Sequence, residues 1–177
     1  AMIRYKKAFM RNDEERYKLF LNKVLEQSEK IARGEEIPED EKVNLNTKTL
    51  YPYQIVSPFM NSRYGFQCLS NEKALPLEAS WKALNREQFN SKTIVVRDGS
   101  GSMYGGINNP KPIEVAVSLG IYFAERNKGA FKNHFITFSH TPRLIEIKGN
   151  DICEKVQYCM SYNEVANTNL QNVFRLI

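Results

Sequence analysis

Three oxygen-bearing side chains follow a short apolar segment in the middle of the sequence. Residues 93–96 are apolar or β-branched, and the next residues include DGSGS, in which Asp98, Ser100 and Ser102 alternate with glycine. Glycine lets the backbone curl, so one carboxylate and two hydroxyls can converge on one point. Such oxygen ligands suit a hard cation, Mg²⁺ most naturally, or Mn²⁺ or Ca²⁺. The spacing therefore predicts a divalent-metal site with one charged ligand and an open coordination position.

Other uses of a glycine- and serine-rich loop fit this segment less well. A phosphate-binding loop needs Gly-Lys-Ser/Thr, which is absent here, since Lys111 precedes a proline. A kinase-type loop needs a third glycine where Tyr104 stands. Hydrolysis would use Ser100 as nucleophile and His134 or His140 as base, but the G-x-S-x-G elbow is missing. We therefore expect a non-enzymatic protein with no catalytic residues.

The elements around the loop predict an α/β fold. The segment before the loop suits a central strand, and residues 113–127 are apolar around most of a helix. Residues 134–139 and 143–148 are two strands whose link is too short for a parallel crossover, so they predict an antiparallel hairpin. Helices are predicted at 151–160 and 168–177. Together these elements indicate a Rossmann-like, mostly parallel sheet with an antiparallel edge hairpin and flanking helices.

An α-helical segment precedes this fold. Residues 5–33 carry an apolar stripe at three-and-four spacing that ends at Ile31, which predicts a long helix. Asn12 and Glu15 fit a capping box at its start, and Gly34 suits a left-handed C-cap.

Two shorter helices are predicted between this long helix and the central strand. One opens near Pro52, and the other, amphipathic, covers residues 76–90 with Pro76 at its start. We therefore divide the chain into a helical segment at 1–90 and an α/β domain at 91–177.

The motif DGSGSM and the order of elements after it resemble the von Willebrand factor A (vWA) domain. The metal-ion-dependent adhesion site of that family begins with a D-x-S-x-S element, and a threonine just before a later helix supplies another metal oxygen. Thr168, in ANTNLQNVF, has the matching place. The resemblance implies that Asp98, Ser100, Ser102 and Thr168 hold Mg²⁺, directly or through water.

Within that family the chain is most similar to the intracellular branch. The segments KTLYPYQIV and FITFSHTPRLIEI resemble the A domain of Ro-type (TROVE) RNA-binding proteins and related uncharacterised cytosolic vWA proteins. Arg97 and Gly99 depart from the usual residues on either side of the metal aspartate. A complete A domain also has further strands and a third metal loop, whereas this sequence ends at Ile177. We therefore expect a truncated A domain, with incomplete metal occupancy and an unpaired sheet edge that could pair between copies.

The resemblance implies a cytoplasmic module that binds a protein partner through the metal ion. An acidic side chain of the partner would take the open coordination position. The alternative is an RNA-binding ribonucleoprotein component, in which the helical segment recognises RNA and the A domain serves as a scaffold.

Composition narrows these alternatives only modestly. The net charge of +5 is thinly spread, and its one local cluster is Arg4, Lys6, Lys7 and Arg11, which is less than a typical nucleic-acid footprint. No apolar run approaches the length that spans a bilayer, so no membrane partner is expected. The three cysteines are irregularly spaced and are predicted to be reduced, buried thiols.

Overall fold

The described residues of the computed structural model form six α-helices and three β-strands, so the chain has a mixed α/β fold. The description covers residues 13–60, 65–84, 93–105, 110–163 and 168–177. The helices are α1 (Glu14–Ala32), α2 (Pro52–Met60), α3 (Asn71–Ala83), α4 (Pro112–Arg126), α5 (Ile152–Met160) and α6 (Leu170–Leu176). The strands are β1 (Val95–Asp98), β2 (His134–Phe138) and β3 (Leu144–Glu146). In this described part, no helix combines the length and the apolar character needed to cross a bilayer.

Helix α1 is capped at both ends by side-chain and backbone groups. Asp13, rather than the predicted Asn12, is the N-cap, because its Oδ1 accepts the Arg16 N–H at 2.9 Å. Gly34 has the predicted left-handed conformation, with φ +80°, and its N–H donates to the Ile31 carbonyl at 3.0 Å. The predicted helical extension and basic cluster at residues 4–12 lie outside the described residues.

Helix α3 begins earlier than its proline suggested. The helix opens at Asn71, so Pro76 lies inside it and not at its start. Proline has no N–H to donate, and an interior position therefore leaves one helical hydrogen bond unmade. Ser80 Oγ donates to the Pro76 carbonyl at 2.5 Å in the following turn. The first turn of α3 is polar, so the apolar periodicity of the sequence did not indicate the true start of the helix. The predicted end of the helix at 85–90 lies outside the described residues.

The strands form one sheet in the order β1-β2-β3. β1 pairs with β2 in parallel, with Asp98 opposite Phe138, and α4 makes the crossover between them. β2 pairs with β3 in antiparallel fashion, which confirms the predicted hairpin. Among the described strands β1 is therefore an edge and not the predicted centre, and it starts at Val95, two residues later than expected.

The two faces of the sheet are covered unequally. Phe135 and Ile145 are paired in register on the face that meets α2, α4 and α5, where both are buried. On the opposite face, Val96 and Leu144 are 40% and 44% exposed on either side of the buried Ile136. Helix α6 packs on β2 and carries the buried Val173.

One hydrophobic core joins the N-terminal helices to the sheet. Phe59 of α2, Val117 of α4 and Val156 of α5 are fully buried in the same cluster, so residues on both sides of position 90 build this core. Helix α1 joins through a smaller cluster in which Leu21 packs near α3. Its stripe is shorter than predicted, because Ile31 is 48% exposed.

The three thiols differ in their surroundings. Cys159 is buried, and burial raises its pKa to about 12, so this thiol stays protonated at neutral pH. Cys153 is half-buried, and burial raises its pKa to about 11. Cys68 is exposed, which corrects the prediction that all three thiols are buried.

Replacement of Phe59 by alanine tests whether one core supports the whole chain. The side chain projects from α2 and is fully buried in the core that α2 shares with α4, α5 and the sheet. We therefore expect Phe59→Ala to lower the free energy of unfolding by about 3–5 kcal/mol. The matched control is Phe174→Ala, at a side chain that is 70% exposed, with a change within about 0.5 kcal/mol. Urea unfolding followed by circular dichroism measures both; equal effects would contradict this packing.

Glu78 supplies a pH-dependent contribution to stability. Its Oε2 accepts the Ile152 N–H at 2.7 Å at the start of α5, and burial raises the pKa of this carboxyl above its ordinary value of 4.5. The folded state therefore holds the proton more tightly than the unfolded state, and this stability is lost as pH rises through the folded pKa. We expect Glu78→Gln to become progressively more stable than the wild type as pH rises above 4.5. The exposed Glu36→Gln control should show a constant difference in urea midpoint across the same series.

Candidate metal site at the carboxyl edge of the sheet

The loop after β1 turns back on itself immediately after the aspartate. Ser100 N–H donates to Asp98 Oδ1 at 2.8 Å, which closes an Asx turn. A single 3₁₀ turn follows at Gly101–Tyr104, with the Met103 N–H donating to the Ser100 carbonyl at 3.1 Å. The backbone therefore curls around the carboxylate, as the DGSGS spacing predicted.

The two serine hydroxyls of this loop lie next to each other. Ser100 Oγ and Ser102 Oγ lie 3.1 Å apart, with Ser102 exposed and Ser100 half-buried. Asp98 is also half-buried, and its Oδ1 is oriented by the loop backbone. One carboxylate and two adjacent hydroxyls are hard oxygen donors, so the chemistry of these residues fits Mg²⁺, Mn²⁺ or Ca²⁺.

Thr168 precedes α6, whose first turn is anchored to the chain just after β2. The residue is exposed and stands two positions before the first residue of α6. Asn172 Nδ2, in the first turn of that helix, donates to the His140 carbonyl at 2.7 Å. His140 comes two residues after β2 ends at Phe138, the register partner of Asp98. Because parallel strands end on a common side of the sheet, the start of α6 lies on the side where the loop after β1 also begins.

Of the two histidines in the alternative serine–histidine arrangement, His134 is not placed beside Ser100, whereas His140 follows β2 at the carboxyl end where Ser100 also lies. His134 is the first residue of β2, whereas Ser100 follows the last residue of β1. Because the two strands are parallel, the two residues lie toward opposite ends of the strand pair. The Nδ1 atom of His134 lies 2.6 Å from the Lys132 carbonyl. The geometry therefore does not offer His134 as a base for Ser100.

Arg97, which departs from the residue expected before Asp98, is a central feature of the candidate site. It occupies the inward face of β1 and is only 3% exposed, while Val96 points outward. Its Nη2 donates to the Tyr162 carbonyl at 3.3 Å, and its guanidinium lies 4.7 Å from the Phe135 ring centroid. Desolvation lowers its pKa from the ordinary value.

Glycine on α4 makes room for this arginine. A Cβ added at Gly120 would lie 3.3 Å from Arg97 Cδ, so a side chain there would crowd the stem of the arginine. The sequence contained one indication of this contact. A glycine stands inside the mostly apolar helix at 113–127, and an arginine stands in the strand that precedes this helix.

Asn163, which follows α5, was also missed. Its Oδ1 accepts from Arg97 Nη1, and its Nδ2 donates to the Tyr104 hydroxyl at 2.5 Å. A Cβ added at Gly99 would lie 2.9 Å from Asn163 Oδ1 and 3.2 Å from its Cα. The close approach of Asn163 therefore leaves little room for a side chain at position 99.

Acidic side chains gather elsewhere, around a cleft of about 450 Å³ between α1, α3 and α5. Glu72, Glu78 and Asp151 line it together with Lys18. Throughout the described ranges, however, no three carboxylate, imidazole or thiol side chains are grouped as metal ligands. A cation site in this part of the chain would thus have to rely on hydroxyl or other oxygen donors, as the loop after β1 does.

Comparison with known proteins locates a related sequence unit over the same residues. Residues 92–177 match the model of a domain of unknown function, DUF7788, and this stretch includes every predicted metal ligand. An uncharacterised protein of Acanthamoeba polyphaga mimivirus is 31% identical over 141 residues, which cover 77% of this chain and 22% of the viral protein. The chain therefore spans about a fifth of the length of that curated relative. No solved structure matches the chain.

Removal of the Asp98 charge tests the donor set directly. We expect the wild type to bind one Mn²⁺ ion and Asp98→Asn to bind it at least about 100-fold more weakly, since even changes outside the ligand shell cost about 10- to 100-fold. Asn keeps an oxygen that can accept the Ser100 N–H, so the turn is retained. Titration followed by electron paramagnetic resonance measures free Mn²⁺, and Asp40→Asn, in the exposed loop after α1, is the matched control. Equal affinity of the two variants would contradict the site.

Proposed function

We propose that this chain is a non-enzymatic, divalent-metal-dependent protein-binding module with a partial, Rossmann-like vWA fold. Asp98, Ser100, Ser102 and Thr168 would hold the ion, and an acidic side chain of a partner protein would complete its coordination. The observations that carry the proposal are two serine hydroxyls 3.1 Å apart and, in the same turn, a carboxylate whose Oδ1 accepts the Ser100 N–H.

The arrangement of secondary structure supports this proposal. A parallel strand pair joined by a helical crossover, with an antiparallel hairpin beside it, has the order expected for the first half of a vWA sheet. Ligands of open α/β sheets bind outside the carboxyl ends of the strands, where Asp98 lies. The anchoring of α6 to the end of β2 supports a contribution from Thr168 at that edge.

The charge of the donor set favours an anionic partner group. A bound divalent ion would supply a net positive, electrophilic centre, because Asp98 is its single anionic ligand in the proposed set. The residues of this chain do the rest: the Ser100 N–H orients the carboxylate, and the two serine hydroxyls present lone pairs from one turn. An exposed carboxylate from a partner would therefore bind there through charge-assisted contact.

The described part of α1 gives less support to the RNA-binding alternative. Lys18 pairs with Glu14 at 2.7 Å, and Lys30 pairs with Glu26 at 3.1 Å, so these lysines lie beside compensating carboxylates. Phosphate recognition uses basic groups that are available to the backbone of the nucleic acid. RNA binding by the helical segment remains a prediction from the sequence.

Binding of an acidic peptide tests the proposed function. We expect a fluorescent, C-terminally amidated peptide whose single carboxylate is an aspartate to bind the chain in solution in Mg²⁺ or Mn²⁺, and to be released by a chelator. The matched peptide carries asparagine in place of aspartate and should not bind, and Asp98→Asn should abolish the signal. Fluorescence anisotropy measures the binding. Retention of the aspartate peptide in chelator, or by the Asp98→Asn variant, would remove metal-dependent recognition.

Single-stranded RNA oligonucleotides across a salt series form the second arm. Binding of RNA with a steep salt dependence, and with no response to the chelator, would favour the ribonucleoprotein alternative instead.

A further inference from the structure

The side chain of Asn163 lies at the centre of the contacts that surround the candidate metal loop. It follows α5, yet it touches residues before, within and after the DGSGS segment. Arg97 donates to its Oδ1, Gly99 packs against its amide group, and the Tyr104 hydroxyl accepts from its Nδ2. Helix α4 also contacts both β1 and the 3₁₀ turn, whereas Asn163 joins the two ends of the loop through the hydrogen bonds of one side chain.

The orientation of the Asn163 amide follows from the chemistry of its neighbours. A guanidinium only donates, so the group facing Arg97 has to be the amide oxygen. The amide nitrogen then faces the Tyr104 hydroxyl and lies 3.0 Å from Met160 Sδ. Both ends of the amide are therefore engaged, and rotation of this group would lose contacts with β1, the loop and α5 together.

Because Arg97 is buried, loss of its hydrogen bond to Asn163 would be costly in free energy. Arg97 is 3% exposed, and in the described ranges its Nε has no hydrogen-bond partner. Its remaining described hydrogen bonds go to Asn163 Oδ1 and the Tyr162 carbonyl, which are adjacent in sequence. Loss of either hydrogen bond would leave the buried charge of Arg97 less well compensated, which is costly in free energy. The two acceptors are therefore strongly favoured to stay beside the guanidinium.

We infer that Asn163 is a positioning residue for the metal loop, which holds the Asp98–Ser102 turn in its ligand-presenting conformation before an ion binds. The inference rests on the proposed function for its consequence, which is metal affinity. Asn163 is also five residues before Thr168 in the sequence. One side chain therefore connects the first ligand turn to the segment that leads to the second.

The experiment uses the whole chain and measures the loop with and without metal. In chelator, amide hydrogen exchange by NMR reports on Ser100, Met103 and Gly105, whose N–H groups bond within the turn. We expect exchange at these amides to become at least about tenfold faster in Asn163→Ala, while the amides of β2 are unchanged. Mn²⁺ titration of the same variant should show an affinity about 10- to 100-fold weaker than the wild type.

Two further variants separate positioning from a general loss of stability. Asn163→Asp keeps an acceptor for Arg97 and can accept from the Tyr104 hydroxyl, so it should restore slow exchange and bind Mn²⁺ at least as well as the wild type. Asn150→Ala, at an exposed asparagine just before α5, should change neither measurement. If Asn163→Ala unfolds, the decision passes to Gly99→Ala, whose added Cβ would displace Asn163 and should accelerate exchange at the same amides.

The outcomes distinguish this inference from the proposed function. Unchanged exchange at the loop amides overturns the inference whatever the metal titration shows, and so does faster exchange with unaltered Mn²⁺ affinity. A wild type that binds no Mn²⁺ overturns the proposed metal site, and the exchange measurement in chelator then still decides whether Asn163 holds the loop.

Discussion

The buried guanidinium of Arg97 constrains how the carboxyl end of β1 packs against its neighbours. Arginine stays protonated in proteins, so its charge has to be accommodated and not neutralised. Among the described residues its hydrogen-bond acceptors are neutral, an amide oxygen from Asn163 and the carbonyl of Tyr162, and the Phe135 ring lies beside it. Gly120 leaves the space that its stem occupies. The strand, α4 and the end of α5 therefore have to meet in one relative arrangement.

The helical segment before the sheet contributes to that arrangement. Trp81 Nε1, on α3, donates to Glu125 Oε2 on α4 at 2.9 Å, and Lys155 Nζ, on α5, donates to Glu125 Oε1 at 2.6 Å. The Glu78 carboxylate accepts a hydrogen bond from the Ile152 N–H, the first N–H of α5. Helix α5 is thus held at several points by elements from both halves of the chain. Since Asn163 follows α5, the environment of the metal loop depends on packing that starts far from it in the sequence.

The site itself is sparse in charge, and this bears on how it would work. Metal sites built from several carboxylates bind cations through their own charge, whereas the loop here combines one carboxylate with hydroxyls. Affinity in such a site depends strongly on how well the donors are pre-arranged, because each weak ligand has to be in place without reorganisation. A partner carboxylate would supply the missing negative charge. Metal binding and partner binding would then reinforce each other.

Local chemistry was sufficient for much of what the sequence determined. Gly34 at a helix end, the short link inside the hairpin and the apolar helix at 113–127 each follow from interactions within a few residues, and each was predicted. The Asx turn that begins at Asp98 follows from the alternation of glycine with polar side chains. The turn at Asp98 could therefore be predicted from the sequence, whereas metal binding by this turn stays a prediction.

Tertiary structure alone decided which face of β1 is buried and how its loop is held. Alternation in a strand separates two faces but does not say which one meets the core, and Val95 and Val96, on opposite faces, are equally hydrophobic. The face that carries Arg97 is the buried one, because Gly120 leaves space in α4 and Asn163, 66 residues after Arg97, supplies a hydrogen-bond acceptor. Contacts between residues so far apart leave no periodic pattern in the sequence. They become visible only when packing brings α4, α5 and the strand together.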